Sequence, residues 1–320
     1  MIRSAVVIGG GTMGAGIAHV LLVAGVAVTV AEVDARRAAA AREAIIESLS
    51  GAVRRGKLTG EQRAAAAALL STTPTESTEP AVAVESFVAV ESVVAAGSVE
   101  PVESAVAMED MEDTVGALPR DAELVVEAVP ERLELKRPVL ASAAAACPSA
   151  VLASNTSSLS IGSLAAGLAE PGRLLGMHFF NPVPAQELVE IVVHDGTSEA
   201  ALQTCRSVVD GLGKTAIVVR DSPGFATSRL GVAVGLEAIR MLAEGVASAE
   251  DIDTGMRLGY RWPMGPLRLT DLVGLDVRLA IAEHLERELG PRFTPPQLLR
   301  DKVARGELGR KSGKGFYEWS

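Results

Sequence analysis

His178 and Glu190 are the residues of this chain whose types and spacing point most directly to chemistry. They lie in the stretch 174–193, LLGMHFFNPVPAQELVEIVV, where one apolar run ends in Met177-His178-Phe179-Phe180 and a second carries Glu190 in its middle. A carboxylate set among Leu, Val and Ile is costly to desolvate unless something pairs with it. His178 is the candidate partner. Between the runs, Asn181-Pro182 and Pro184 force a reversal, so the two runs can lie side by side and bring Glu190 onto the imidazole. A carboxylate on one ring nitrogen fixes the tautomer and leaves the other nitrogen to act as general base. A lone histidine in such a frame is more often a core residue satisfied by a neighbour. Here His178, Asn181 and Glu190 cluster, and SNTSSLS lies just upstream at 154–160, which favours a catalytic dyad.

The elements that must position this pair begin at the N-terminus. Residues 4–8 form a short apolar strand, and Gly9-Gly10-Gly11-Thr12-Met13-Gly14 follows at once. An apolar helical run over 15–24 stops at Gly25, and a second strand over 26–31 ends in Glu32. Strand, GxGxxG, helix, strand and acid stand in the order and at the spacing of a dinucleotide site. Gly9 permits the tight turn, Gly11 lets the backbone approach a pyrophosphate, and Gly14 lets helix and strand pack closely. Glu32 would accept both ribose hydroxyls and repel a 2′-phosphate, which favours NAD over NADP, although Arg36 and Arg37 stand close by. His19 reads as a helix-face residue.

At 320 residues the chain has room for one large domain or two medium ones, and 48% apolar residues fit a globular protein. No apolar run reaches membrane-spanning length without interruption, and the N-terminus enters a strand without signal-peptide architecture, so a soluble cytoplasmic protein is expected. Cys147 and Cys205 stand apart from any ligand set and read as buried thiols, with no metal site expected. The net charge of -10 is local: between Leu70 and Arg120 there is no Lys or Arg, and ten acids there account for the whole imbalance. Nucleic-acid binding therefore has no electrostatic footprint.

Residues 34–70 read as helices broken near Gly56-Lys57 and Thr59-Gly60, with Ser48, Arg54, Arg55 and Lys57 on a solvated end. Residues 72–118 hold five irregular hexads, AVAVES to AVAMED. A hairpin or acidic lid is one reading of about 75–107, and a low-complexity expansion in a surface loop is the one favoured. Strand patterns return at 122–129 and 151–153. In an open α/β sheet, ligands sit at the carboxyl ends of the strands, where the Gly loop, the EAVPE turn, the SNTSS turn and His178 all fall. After a last strand at 215–219 only helical patterns follow. The expected architecture is α/β: a Rossmann-type doubly wound domain over 1–221, then a smaller helical domain over 222–320 that completes the substrate site and dimerises.

Taken together, VVIGGGTMGAGIA, LVVEAVPE with Lys136, ASNTSSLSI, GMHFFNPVP with LVEIV, DSPGF, EDIDTGMRLGYRWPMGPLRLTDLVGLD and LGRKSGKGFY resemble the 3-hydroxyacyl-CoA dehydrogenase family. The layout is closest to the single-function bacterial 3-hydroxybutyryl-CoA type. The resemblance implies NAD-dependent oxidation of an (S)-3-hydroxyacyl-CoA to the 3-oxoacyl-CoA, or the reverse, the chemistry of β-oxidation; the apolar helices of 222–320 point to a homodimer. It implies His178 as base, Glu190 as its orienting partner and Ser157 on the reacting oxygen. It places Glu131, Lys136 and Lys311 with Glu32 on the cofactor, Asn155 near the nicotinamide, Asn181 near the reacting carbonyl, and Ser48 with Arg55 on CoA, where Arg54 or Lys57 could stand in for Arg55. One departure concerns PGFATSR: Ser228 occupies the position where the family carries an Asn that helps hold the substrate carbonyl. Two alternatives stay open, a dehydrogenase of a free hydroxy acid or sugar acid and a non-catalytic NAD-binding protein.

Overall fold

The computed structural model describes residues 1–74 and 118–319, so the hexad-bearing stretch around 75–107 lies outside the described residues. The described chain divides into two compact units, 1–74 with 118–222 and 223–319.

In the first unit β1 (Ser4–Ile8), α1 (Thr12–Val23), β2 (Ala27–Glu32), α2 (Ala35–Arg54), α3 (Gly60–Ala68) and β3 (Leu70–Pro74) come first. They are followed by β4 (Leu124–Glu127), α4 (Leu133–Ala146), β5 (Val151–Ser154), α5 (Ile161–Ala165), β6 (Leu174–Phe179), β7 (Leu188–Val193), α6 (Glu199–Gly211) and β8 (Thr215–Arg220). The eight strands form one sheet in the order β3-β2-β1-β4-β5-β6-β7-β8. All neighbours run parallel except β6 and β7. Parallel strands covered by helices on both faces read as near-continuous apolar runs, and β1 (SAVVI), β4 (LVVE) and β6 (LLGMHF) do so. Val7, Ile17, Leu21, Val30, Leu124, Leu175, Met177 and Ile191 share one core with α1 and α2. Helix starts follow local chemistry: Asp34 caps α2 through the Arg37 N–H, and Thr59 and Gln62 form a capping box on α3.

The sheet order reverses beside β1, with β2 on one side and β4 on the other. That switch opens a crevice beyond the carboxyl ends of β1, β4, β5 and β6. Among the described residues only the β6 to β7 connection doubles straight back, and it does so at the NPVP turn.

The second unit packs α7 (Thr227–Ala243), α8 (Ala249–Thr254), α9 (Pro266–Val273), α10 (Leu275–Leu289) and α11 (Gln297–Ala304) around Leu236, Ile239, Leu267, Leu285 and Leu299. Two buried carboxylates organise it. Asp253 accepts the Leu267 and Arg268 N–H groups at 2.9 Å each, capping α9, and the Tyr317 hydroxyl at 2.8 Å. Asp271 accepts from the Phe316 and Tyr317 amides and the Trp319 indole at 2.8–2.9 Å, which ties down the tail. Among the described residues no helix is long and apolar enough to cross a membrane.

Candidate active site

The antiparallel β6 and β7 pair puts His178 directly opposite Glu190 in register. Glu190 is sealed from solvent and His178 is 7% exposed, and Nδ1 lies 2.8 Å from Glu190 Oε2. A carboxylate only accepts, so Nδ1 carries the proton directed at Glu190. The Phe180 ring stands 4.4 Å from the imidazole centroid, tilted by 46°, and covers one side of it. The intervening turn is held from the residue before β8: Lys214 Nζ donates to the Val183 carbonyl at 2.8 Å and to that of Gln186. Asn181 is exposed on this turn, its carbonyl accepting from Gln186 Nε2 at 3.4 Å.

The loop after β5 approaches the same strand. Asn155 Oδ1 accepts the Phe179 N–H at 2.9 Å, so the residue next to His178 is fixed by the SNTSS segment. On the other side Glu131 Oε1 accepts from the Thr156 hydroxyl at 2.7 Å, the Ser157 and Ser158 amides at 2.8 and 3.0 Å, and both serine hydroxyls at 3.0–3.2 Å. Burial alone would raise the Glu131 carboxyl. The Lys136 ammonium and these donors outweigh it and hold the group below the ordinary range. Lys136, expected on the cofactor, is 1% exposed, with Glu127 Oε1 at 2.6 Å, the Val129 carbonyl at 2.9 Å and Glu131 Oε2 at 3.4 Å. Its three N–H donors are directed at protein acceptors.

The glycine loop shows why Gly9 and Gly14 carry no side chain. Gly9 has φ +94°, and a Cβ there would meet the Ala128 carbonyl; a Cβ on Gly14 would stand 1.8 Å from the Gly9 carbonyl oxygen. Gly11, the N-cap of α1, has no side-chain cap, and a Cβ on it would meet nothing within 4 Å, so the helix start faces open space. Thr12 and Met13 form the first turn there. Glu32 at the end of β2 accepts the Gly10 N–H at 2.6 Å through Oε1. An uncapped twelve-residue helix behind a glycine loop, with a carboxylate at the neighbouring strand end, fits a dinucleotide pyrophosphate and ribose.

Ser48 and Arg55 lie elsewhere in this unit, around His19, which the sequence reading took for a helix-face residue without a partner. Ser48 Oγ is 2.9 Å from Nδ1 of His19, which is buried at 4% exposure. Burial first, then Arg55 and Lys214, hold the His19 imidazole down to about 4. Arg54 instead pairs with Glu47. Lys311 and Ser228 belong to the second unit, where the Lys311 ammonium sits 2.6 Å from Asp276 and Ser228 opens α7, half-buried. Glu127 and Asp221 were passed over. Glu127 bridges Lys136 and the Ser154 hydroxyl, and Asp221 Oδ2 accepts from Ser160 Oγ and the Gly162 N–H at 2.7–2.8 Å. The desolvation argument applied to Glu190 would have found Glu127, an acid ending a buried-strand pattern with Lys136 nine residues on. Among the described residues no group of three or more His, Cys, Asp or Glu could hold a metal ion.

This fold and loop define a dinucleotide-binding α/β protein, and comparison with known proteins narrows the class. Residues 4–99 and 79–222 match the model of the 3-hydroxyacyl-CoA dehydrogenase NAD binding domain, and 224–319 that of the 3-hydroxyacyl-CoA dehydrogenase C-terminal domain. The chain is 39% identical over 319 residues to a 3-hydroxybutyryl-CoA dehydrogenase of Mycobacterium tuberculosis, covering 98% of this chain and 97% of that one. Among solved structures it resembles (S)-3-hydroxybutyryl-CoA dehydrogenase from Ralstonia eutropha, with TM-score 0.82, 34% identity and full coverage of both chains. It also resembles a diketoreductase, with TM-score 0.76 and 25% identity over 99% of each chain. The chain belongs to the 3-hydroxyacyl-CoA dehydrogenase family and is an NAD-dependent oxidoreductase.

Proposed function

We propose that the chain oxidises an (S)-3-hydroxyacyl-CoA to the 3-oxoacyl-CoA, or runs the reverse, with His178 as general base. The observation that carries this reading is the 2.8 Å contact between Nδ1 and Glu190 across a register pair of one antiparallel ladder. In the oxidation, Nε2 of His178 takes the C3 hydroxyl proton, and the sealed Glu190 carboxylate stabilises the imidazolium that results. NAD, when bound, supplies the hydride acceptor. Gly9, Gly10, Gly11, Thr12, Met13 and Gly14 would hold its pyrophosphate, and Glu32 its ribose. Ser157 hydrogen-bonds the reacting oxygen, and Asn155 and Asn181 flank it. Ser48 and Arg55 take the CoA portion. The helical unit pairs with a second copy: Leu230, Leu272, Val273 and Val277 are exposed on it, apolar surface that association would bury.

A second reading, a free hydroxy or oxo acid as substrate, is favoured by Ser228 at the position of the carbonyl-holding Asn and by the likeness to a diketoreductase. The deciding measurement is NADH oxidation with acetoacetyl-CoA beside the same assay with free acetoacetate. Turnover of the thioester alone establishes the first reading; turnover of the free acid alone replaces it with the second.

A further inference from the structure

The proposed reaction leaves His19 unused. Its imidazole comes from α1 and lies behind Ser48 of α2: His19 is buried, Ser48 is half-buried, and Ser48 Oγ stands 2.9 Å from Nδ1. Ser48, Gly51 and Arg55 are spaced by three and four residues, so they share one face of α2 and its C-cap. A Cβ on Gly51 would meet the Arg55 guanidinium at 3.1 Å, so the Arg55 side chain folds back over Gly51, toward the turn that carries Ser48. Lys214 also stands near enough to His19 to lower its proton affinity. Two cations beside a half-buried hydroxyl are a donor set suited to a phosphate group.

A hydroxyl has one proton to give, and a phosphate oxygen in contact with it has to receive that proton. If Nδ1 of His19 accepts it, Ser48 presents only lone pairs to the ligand, and the phosphate is repelled. If Nδ1 carries the imidazole proton and donates to Oγ, the Ser48 proton is left for the ligand. A neutral imidazole has one donor and one acceptor, so its tautomer decides which way the hydroxyl points. We propose that His19 is a positioning residue for phosphate recognition: Nδ1–H donates to the Ser48 oxygen and turns the hydroxyl proton to a phosphate oxygen of the CoA portion, beside the charges of Arg55 and Lys214. This assignment rests on the proposed role of Ser48 and Arg55 in holding CoA.

The test follows NADH oxidation by the full chain with acetoacetyl-CoA, with acetoacetyl-dephospho-CoA and with acetoacetyl-pantetheine, which carries no phosphate. His19→Leu is expected to raise KM for acetoacetyl-CoA about tenfold, the worth of one charge-assisted hydrogen bond, with kcat within about twofold of wild type. KM for the pantetheine thioester should stay within about twofold. His19→Gln restores a donor and should bring KM for acetoacetyl-CoA back to within about threefold of wild type. In a Ser48→Ala background, His19→Leu should add less than about twofold, because its effect passes through the missing hydroxyl. If the dephospho thioester responds as acetoacetyl-CoA does, the contact is to the diphosphate; if it responds as the pantetheine thioester does, the contact is to the 3′-phosphate, and either result upholds the proposal. A measurement on the wild type covers the case in which the leucine variant does not fold. With CoA bound, 15N spectra should show His19 protonated at Nδ1 and bare at Nε2, its signals identified by their loss in His19→Gln. A proton on Nε2 alone would overturn the proposal, as would an equal rise in KM for the pantetheine thioester, a fall in kcat with KM unchanged, or additive losses in the cycle. If CoA binds by calorimetry with the expected tautomer but acetoacetyl-CoA does not react, the proposed reaction falls and the role of His19 stands. If CoA does not bind, the role of His19 falls.

Discussion

His178 and His19 are both nearly sealed from solvent, at 7% and 4% exposure, and each has an oxygen 2.8–2.9 Å from Nδ1. Burial disfavours the imidazolium form of His19. What differs is the charge of the surroundings. His178 faces a carboxylate across the β6 and β7 ladder, which compensates the positive charge it would acquire on taking a proton. His19 faces a neutral hydroxyl, with Arg55 and Lys214 near enough to lower its proton affinity further. In the proposed mechanism His178 takes up a proton during the reaction, whereas the surroundings of His19 hold its imidazole neutral.

The comparison is broken most severely by removing the imidazole at His178. His178→Gln is expected to lower kcat for NADH oxidation with acetoacetyl-CoA by about 1000-fold, the range of a lost general acid–base group, while NADH binding persists. Loss of less than about tenfold in steady-state kinetics would take the proton transfer away from His178. A smaller effect comes from altering only the charge beside it. Glu190→Gln keeps an acceptor for Nδ1 and discards the negative charge, so kcat should drop about 10- to 100-fold, or roughly 1.4–2.7 kcal/mol of transition-state stabilisation. If Glu190→Gln matched wild type, Glu190 would serve packing, and the contrast between the two histidines would lose its basis.

How much of this was legible in the sequence depends on the reach of each contact. His178 and Glu190 could be paired because twelve residues and a proline-rich reversal separate them, and a single antiparallel register brings them opposite. The glycine loop was legible for a similar reason: its steric demands fall on consecutive residues and on the strand end at Glu32. β3, with the sequence LSTTP, carries one leucine among polar residues and gains its place from pairing with β2, which no hydrophobic pattern shows. His19 was read as a helix-face residue because Ser48 lies 29 residues away on another helix, and Lys214, which both clamps the NPVP turn and stands near His19, is farther still. The motif carboxylates Asp253 and Asp271 pointed to the family, but their use as buried caps for α9 and for the tail emerges only once the second unit is folded. Local chemistry could thus be read from type and spacing, whereas partners brought together by tertiary packing could not.

The gentlest test concerns His19 and the pH dependence of stability. Its imidazole is held down to about 4 in the folded chain against an ordinary 6.5, by burial first and then by Arg55 and Lys214. Between those two values the unfolded chain binds a proton that the folded chain refuses, so stability rises with pH across that window. The contribution is complete above the unfolded value and drains away as pH falls toward the folded one. His19→Gln retains a polar partner for Ser48 and cannot titrate. The melting temperature of wild type minus that of the variant should therefore be largest at about pH 7.5 and shrink by about pH 5, with the remaining acid-sensitive groups cancelling in the difference. A difference that stays constant with pH would mean that His19 is not held neutral by its surroundings. A loss of kcat in His19→Gln as large as that in His178→Gln would go further, placing the reacting proton at the histidine flanked by cations instead of the one facing a carboxylate.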